Sequence, residues 1–371
     1  MSVPLFSPIR LRELQLENRI VVSPMCQYSA SEGRATHWHM VHLGQLMLSG
    51  AGMVCIDATA VEPIGRITPG CLGLYDDDCE TALARVIACM RAVSPAAIAI
   101  QLAHAGRKAS SNYPWAGGRL LPESESGWQP VAPSPLPHLE TEPAPRALGQ
   151  DALDKLKLRF VDAVLRAEQL GLDAIELHAA HGYLLHQFLS PLANQRADRY
   201  GGSSENRMRF PLEVFEAMRT AWPEHKPMGV RLSSTDWVEG GWDLEQTIEM
   251  ARRLRALGVD WIDCSSGGVS RRQKIPVAPG YQVPFAETVR RDGGVPTIAV
   301  GLITEPQQAN AIIAEGKADM VALARGMLYD PRWPWHAAAE LGASVTAPPQ
   351  YWRAQPRQFP HLFGDTRFGQ R

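Results

Sequence analysis

Eight short runs of small and β-branched apolar residues recur along the chain, and longer stretches with helical periodicity lie between them. The runs cover Arg19–Ser23, Gly52–Ala58, Ala97–Leu102, Leu172–Leu177, Met228–Leu232, Val259–Cys264, Thr297–Val300 and Asp319–Leu323. Several are apolar at every position, as in Met53-Val-Cys-Ile56 and Ala97-Ile-Ala-Ile100, where a half-exposed strand would alternate. Strands covered on both faces belong in a parallel sheet, and parallel neighbours need a crossover helix between them. Amphipathic patterns over Asp151–Leu170, Ser204–Trp222, Leu244–Leu257 and Glu305–Glu315 supply such helices, with Gly171 and Gly258 where a helix has to stop. This alternation predicts the α/β class and a single (β/α)8 TIM barrel. A doubly wound sheet ranks second, since no strand is followed by the G-x-G-x-x-G of a dinucleotide fold.

A bare barrel takes about 250 residues, and the chain has 371. Length alone would suggest about two and a half domains. The surplus is better assigned to the strand 4 rim loop and two other segments. One is a capping excursion over 110–149, with eight prolines between Pro114 and Pro145 and with Trp115 and Trp128. So long a connection in a compact domain is usually functional, often a lid. The other is a C-terminal arm, 342–371, with Pro348-Pro-Gln-Tyr-Trp-Arg353 and Phe359, Phe363 and Phe368; so many aromatics should pack on their own barrel or on a neighbour.

Hydrophobic residues at 45% and charged residues at 20% are enough for a full core. A net charge of -2 gives no electrostatic case for nucleic acid or a membrane surface. Six cysteines without a C-x-x-C pair make neither a disulfide framework nor a zinc ribbon. The chain shows no secretory signal and no apolar run of membrane-spanning length, so a reduced, cytoplasmic protein is the expectation.

In barrels the chemistry sits at the carboxyl ends of the strands. At or just past the ends of the predicted strands lie Pro24-Met-Cys-Gln-Tyr28, Ala58-Thr59, Gln101-Leu-Ala-His-Ala-Gly-Arg-Lys108, His178-Ala-Ala-His-Gly-Tyr183, Arg231, Ser265-Ser-Gly-Gly268, Gly301 and Ala324-Arg-Gly326. The last two read as a phosphate site. Gly301 admits close backbone approach, and Arg325-Gly326 opens a short helix whose N–H groups favour an anion, although a capped helix with a surface arginine would look the same. His178 and His181 share one side if the backbone turns helical after the strand. They are metal ligands, donors to a substrate oxygen or structural histidines, and Tyr183 is a proton donor or a core aromatic. His37-Trp-His39 resembles the H-x-H of metal-dependent barrel hydrolases, but it lies far beyond strand 1 and strand 8 lacks an acidic base. Cys26 as a hydrolytic nucleophile would leave the phosphate site without a role.

These residues together resemble the old yellow enzyme family of flavin-dependent ene-reductases, and its bacterial thermophilic-like branch in particular. The likeness is carried nearly end to end by Asn18-Arg-Ile, Ser23-Pro-Met-Cys-Gln-Tyr28, Gly65-Arg-Ile-Thr68, Gln101–Lys108, His178-x-x-His-Gly-Tyr183, Leu189-Ser-Pro191, Asn194-x-Arg-x-Asp-x-Tyr-Gly-Gly-Ser203 and Glu205-Asn-Arg207. The resemblance implies FMN as cofactor and NADPH, with NADH less preferred, as reductant. It places the FMN phosphate at Gly301, Ala324 and Arg325, and Arg231 at the N1–C2 edge of the ring. Gln101, Pro24, Met25 and Ala58 would hydrogen-bond the flavin, and Cys26 would tune its potential from the O4/N5 edge. His178 and His181 would polarise the carbonyl or nitro oxygen of an activated alkene. Hydride would reach the β-carbon from the flavin and Tyr183 would protonate the α-carbon, in a ping-pong cycle. Tyr28 and Lys108 would line the substrate pocket. Ala324 stands where relatives often have glycine, a tolerable change if its φ is negative. Trp352 or Arg353 would reach a neighbouring subunit's site, which implies a homodimer or larger assembly. A flavin-binding redox sensor with little turnover is the alternative from another class.

Overall fold

The computed structural model describes residues 3–364 and 366. Eight parallel strands close into a barrel: β1 (Ile20–Val22), β2 (Met53–Ala60), β3 (Ala97–Ala103), β4 (Ala174–Ala179), β5 (Met228–Ser233), β6 (Trp261–Ser265), β7 (Thr297–Val300) and β8 (Met320–Leu323). Each pairs with its neighbours in sequence, and β8 pairs with β1. Every strand residue is buried, which is why the runs carry no polar alternation. One face of each strand fills the barrel and the other packs on helices.

The outer layer is α1 (His37–Met47), α2 (Asp77–Val93), α3 (Gln150–Gln169), α4 (Ser204–Ala221), α5 (Leu244–Ala256), α6 (Val283–Thr288), α7 (Pro306–Ala314) and α8 (Trp333–Leu341). The four helices expected from periodicity fall within one residue of these bounds at each end. Their starts follow from local chemistry. Asp76, Ser203 and Asp243 accept the N–H of Cys79, Asn206 and Gln246, each satisfying an orphan donor of the first turn. His39 is used in the same way, its Nδ1 accepting the Thr36 N–H at 3.0 Å in a capping box on α1.

A hairpin of Ile9–Leu11 and Leu14–Leu16 closes the barrel from below, an element the sequence reading did not anticipate. Leu11 and Leu16 pack against Val21, Met53, Trp261 and Met320 inside the strands, and burying each contributes about 1.5–3 kcal/mol. Arg12 at its turn donates to both oxygens of Asp260 and to the carbonyls of Glu224 and Gly258.

The 110–149 excursion is held by its own short turns, by a parallel bridge between Val131–Ala132 and Arg146–Ala147, and by the Trp128 indole, which donates to the Ile64 carbonyl at 2.9 Å. The C-terminal arm packs on its own barrel: Val345, Ala347, Leu362 and Phe363 form one cluster with Trp335 and Ala338 of α8. Phe368 lies outside the described residues. Trp352 joins this cluster and donates to the Ala347 carbonyl at 3.0 Å. The expectation that Trp352 reaches a neighbouring subunit is thereby corrected, because its ring and its N–H are both engaged within its own chain.

Candidate active site

Inward-facing positions of β3 to β6 build a polar layer at the top of the barrel. Pairing sets Gln101 beside Glu176, and Arg231 between His178 and Asp263. Gln101 Nε2 and Trp261 Nε1 donate to the two oxygens of Glu176 at 2.7 and 3.0 Å. Arg231 Nε lies 3.1 Å from Asp263 Oδ2, but it is buried without a well-formed hydrogen bond. Burial pushes the Asp263 carboxyl up to about 7 against the pull of Arg231, and Glu176 moves the same way. A cation so placed retains unused donor capacity.

β4 extends two residues further than expected, so His178 lies inside the strand, and the chain then makes a turn rather than a helix. His181 sits there with φ 58°, a left-handed conformation that costs a non-glycine residue about 1–2 kcal/mol. Three contacts impose it. Ser233 Oγ accepts the His181 N–H at 2.9 Å, Lys108 Nζ donates to the His181 carbonyl at 2.7 Å, and Gly268 packs against its backbone. The two rings meet for this reason and not through helical spacing, with centroids 5.1 Å apart and His178 Nε2 3.3 Å from His181 Nδ1.

Hydrogen bonding fixes the tautomer of His178. Its Nδ1 accepts the Ala180 N–H at 3.1 Å, so the proton of the neutral ring is on Nε2. His181 Nε2 lies 2.6 Å from Ser265 Oγ, a hydroxyl that can accept or donate as the ring requires. Burial and then the Arg231 charge hold both imidazoles well below their ordinary range, so both are neutral donors near pH 7. Tyr183 caps the Leu184–Leu189 helix with its ring centroid 4.9 Å from that of His178. Burial raises its phenol well above the usual value, which keeps the proton in place.

Lys108, expected to line the pocket, lies against the Tyr183 ring and is tied down by backbone carbonyls. Its Nζ donates to the carbonyls of His181 and Gly268, and it lies 4.9 Å from the Tyr183 ring centroid. Tyr28 meets the excursion edge-on at Trp115, with centroids 5.8 Å apart. The neighbouring Cys71 thiol and burial push the Cys26 thiol well up, so it is no thiolate nucleophile. Pro24 and Met25 follow β1 and are half-buried. Ala58 pairs with Gln101 past a bulge in β2 that frees Asp57 to accept the Gln27 N–H at 2.8 Å.

At the other side of the rim, Gly301 has φ 116°, and a Cβ there would come 2.7 Å from Gln282 Nε2. Ala324 has φ -107°, within reach of any L-residue, and Arg325 begins the short helix Arg325–Tyr329 with its side chain exposed.

A profile of the NADH:flavin oxidoreductase / NADH oxidase family matches residues 4–343. The chain belongs to that family. An NADPH dehydrogenase of Geobacillus thermodenitrificans (strain NG80-2) is 43% identical over 355 residues, covering 95% of this chain and 99% of that protein. Morphinone reductase in complex with tetrahydroNAD superposes with a TM-score of 0.73 at 29% identity, covering 96% of this chain and 93% of that one. An old yellow enzyme homologue from Zymomonas mobilis reaches 0.74 at 25% identity, covering 92% and 94%. The old yellow enzyme resemblance and the barrel expected from the motifs both hold, and the chain is an enzyme of this flavin oxidoreductase family, whose cofactor is FMN. The rim fits that group. It offers an Arg231 Nε without a well-formed hydrogen bond, a glycine cradle at Gly301 that a side chain would fill, and a helix start at Arg325.

Sequence reasoning missed Ser233, Asp263, Glu176 and Cys71 as members of the site, and set Ser265 at the rim without giving it a role. The signal for the serines was their position at adjacent strand ends in register, Ser233 opposite Ser265. Cys71 comes from a distant loop, and nothing local marks it.

Proposed function

We propose that the protein is an FMN-dependent, NADPH-preferring ene-reductase that reduces the C=C bond of α,β-unsaturated carbonyl or nitro compounds. The observation that carries this proposal is the buried pair of neutral imidazoles, His178 and His181, facing a protonated Tyr183. A substrate oxygen between the rings would accept from His178 Nε2 and from His181 Nδ1, with the Ser265 hydroxyl turning to donate to His181 Nε2. Both donors are preorganised and desolvated, so they polarise the alkene without reorganisation cost. Tyr183 Oη would give its proton to the α-carbon. Bound FMN would supply the hydride, taken from NADPH in the first half-reaction and delivered to the β-carbon in the second.

Pro24, Met25, Ala58 and Gln101 would hold the ring edge, with Arg231 facing its electron-rich side. Gly301, Ala324 and Arg325 would take the phosphate. Cys26 would tune the flavin, and Tyr28 with Trp115 would form the pocket mouth. The exposed Arg353, on the turn Pro349–Ala354, is the remaining candidate to reach across a homodimer. Six free thiols suit a reducing cytoplasm.

The test is anaerobic: protein reduced with NADPH is mixed with 2-cyclohexenone and the flavin absorbance followed. Reoxidation with loss of the alkene is expected. A flavin that stays reduced would make the protein a redox sensor instead.

A further inference from the structure

Beside the imidazole pair, under the 110–149 excursion, lies a cavity of about 280 Å³ whose walls include Arg107, Lys108, His138, Glu142, Arg271 and Gln273. Three of these side chains are cations. None of the three has a carboxylate within 4.0 Å among the described residues. Arg107 is 7% exposed. Two of its nitrogens donate to the carbonyls of Leu136 and Val269, and its Nε is buried without a partner. His138 Nδ1 is likewise buried and unpartnered. Gln273 turns its oxygen to the Gly268 N–H at 2.6 Å, which leaves its amide N–H₂ as a donor. Glu142, the one acid on the wall, accepts the Leu139 N–H at 3.0 Å.

Buried donors and unpaired cations around one void cost stability unless something accepts from them. The surplus is felt locally: burial and the charges of Lys108, Arg107 and Arg271 hold the His138 imidazole down to about 3. The cavity also communicates with the chemistry. Lys108, which forms its wall, donates to the His181 carbonyl at 2.7 Å and lies 4.9 Å from the Tyr183 ring centroid. Lys108 and Gly268 thus stand between this cavity and the imidazole pair.

We propose that this cavity binds a phosphate of the nicotinamide coenzyme. The pyrophosphate carries four non-bridging oxygens and a 2′-phosphate three, enough to accept at once from Arg271 and the Gln273 amide at the cavity wall, with the Arg107 and Lys108 charges beside them favouring an anion. The assignment rests on the ene-reductase proposal above, which requires NADPH to reach the same rim. It adds the residues that hold the coenzyme's far end.

Stopped-flow reduction of the FMN-loaded protein tests it, using Arg271→Gln, the rescue Arg271→Lys, and Arg272→Gln as a control exposed outside the cavity. Losing one charge-assisted phosphate contact should raise the half-saturating NADPH concentration about tenfold with the limiting rate unchanged. Arg271→Lys should restore most of the affinity, and Arg272→Gln should behave as wild type. Inorganic pyrophosphate should compete with NADPH in the wild type and lose that competition in Arg271→Gln. NADH weakened as much as NADPH would identify the pyrophosphate as the bound group; NADPH weakened alone would identify the 2′-phosphate. Bleaching whose half-saturation is indifferent to Arg271 with both coenzymes overturns the proposal while leaving the ene-reductase standing. If neither coenzyme bleaches the wild-type flavin, the ene-reductase proposal falls and takes the coenzyme assignment with it.

Discussion

Replacing Gly268 by alanine should disable the oxygen-binding pair without touching the flavin site. Gly268 has φ 96°, and an added Cβ would lie 2.4 Å from both C and O of His181. Ordinary contact starts at 3.4 Å, so the two backbones must part by about 1 Å, on top of about 1–2 kcal/mol for holding alanine at positive φ. His181 is the piece able to move, being itself in a left-handed turn. A shift of that size carries its ring out of the 2.6 Å contact with Ser265 and the 3.3 Å contact with His178. Misplacing a catalytic group by about 1 Å costs about 10²-fold in rate. The assay measures three quantities on one preparation: FMN content, affinity for a phenolic ligand, and the rate of flavin reoxidation by 2-cyclohexenone. Full FMN content with ligand affinity and reoxidation both reduced by about two orders of magnitude is expected. Reoxidation at the wild-type rate would refute the claim that the His181 turn sets the catalytic geometry.

Three further outcomes follow from other contacts. Tyr183→Phe should slow alkene reduction by about 10²–10⁴-fold and leave flavin reduction by NADPH nearly unchanged, because the proton enters only the second step; stopped-flow on each half-reaction separates the two. Burial lifts the Asp57 carboxyl from 3.8 to about 7 in the folded protein, so the folded state holds the extra proton and stability falls as pH rises between those values. Asp57→Asn, which keeps an acceptor for the Gln27 N–H, should therefore gain melting temperature relative to wild type from pH 5 to pH 8, and a constant difference would contradict the assignment. Arg12→Ala should lower stability by about 1.5–3 kcal/mol, since it removes the closer of the two arginines that pair with Asp260 and leaves only Arg219, at 3.7 Å, as denaturant titration would show.

The barrel was legible because burial on both faces writes itself into a strand as an unbroken apolar run, and Ile98, Val230 and Val321 are the kind of residue such a strand needs. The rim was legible because polar residues interrupt those runs at one end only. What escaped the sequence depends on distance along the chain. The left-handed turn at His181 is enforced by Lys108, Ser233 and Gly268, residues up to 87 positions away, and spacing within the segment pointed to a helix instead. Cys71 meets Cys26 from 45 positions away, and the polar hairpin turn at Arg12 gives no hint that Leu11 and Leu16 stopper a barrel. The tail offered two aromatic or basic candidates for a neighbour, and only packing showed that Trp352 is taken.

That stopper has a consequence for how the chain is made. Arg12 is synthesised well before its partner Asp260, which follows 248 positions later. The Leu5 N–H waits longer still, for Asn310, 305 positions on. The hairpin is thus synthesised long before the residues that seat it, and until they arrive Leu11 and Leu16 are exposed together with the open end of an unfinished cylinder. Such long-range closure is slow by nature. The growing chain should depend on chaperone cover for most of its synthesis, and a circular permutant that begins beyond the hairpin and carries it at the new C-terminus should mature with less.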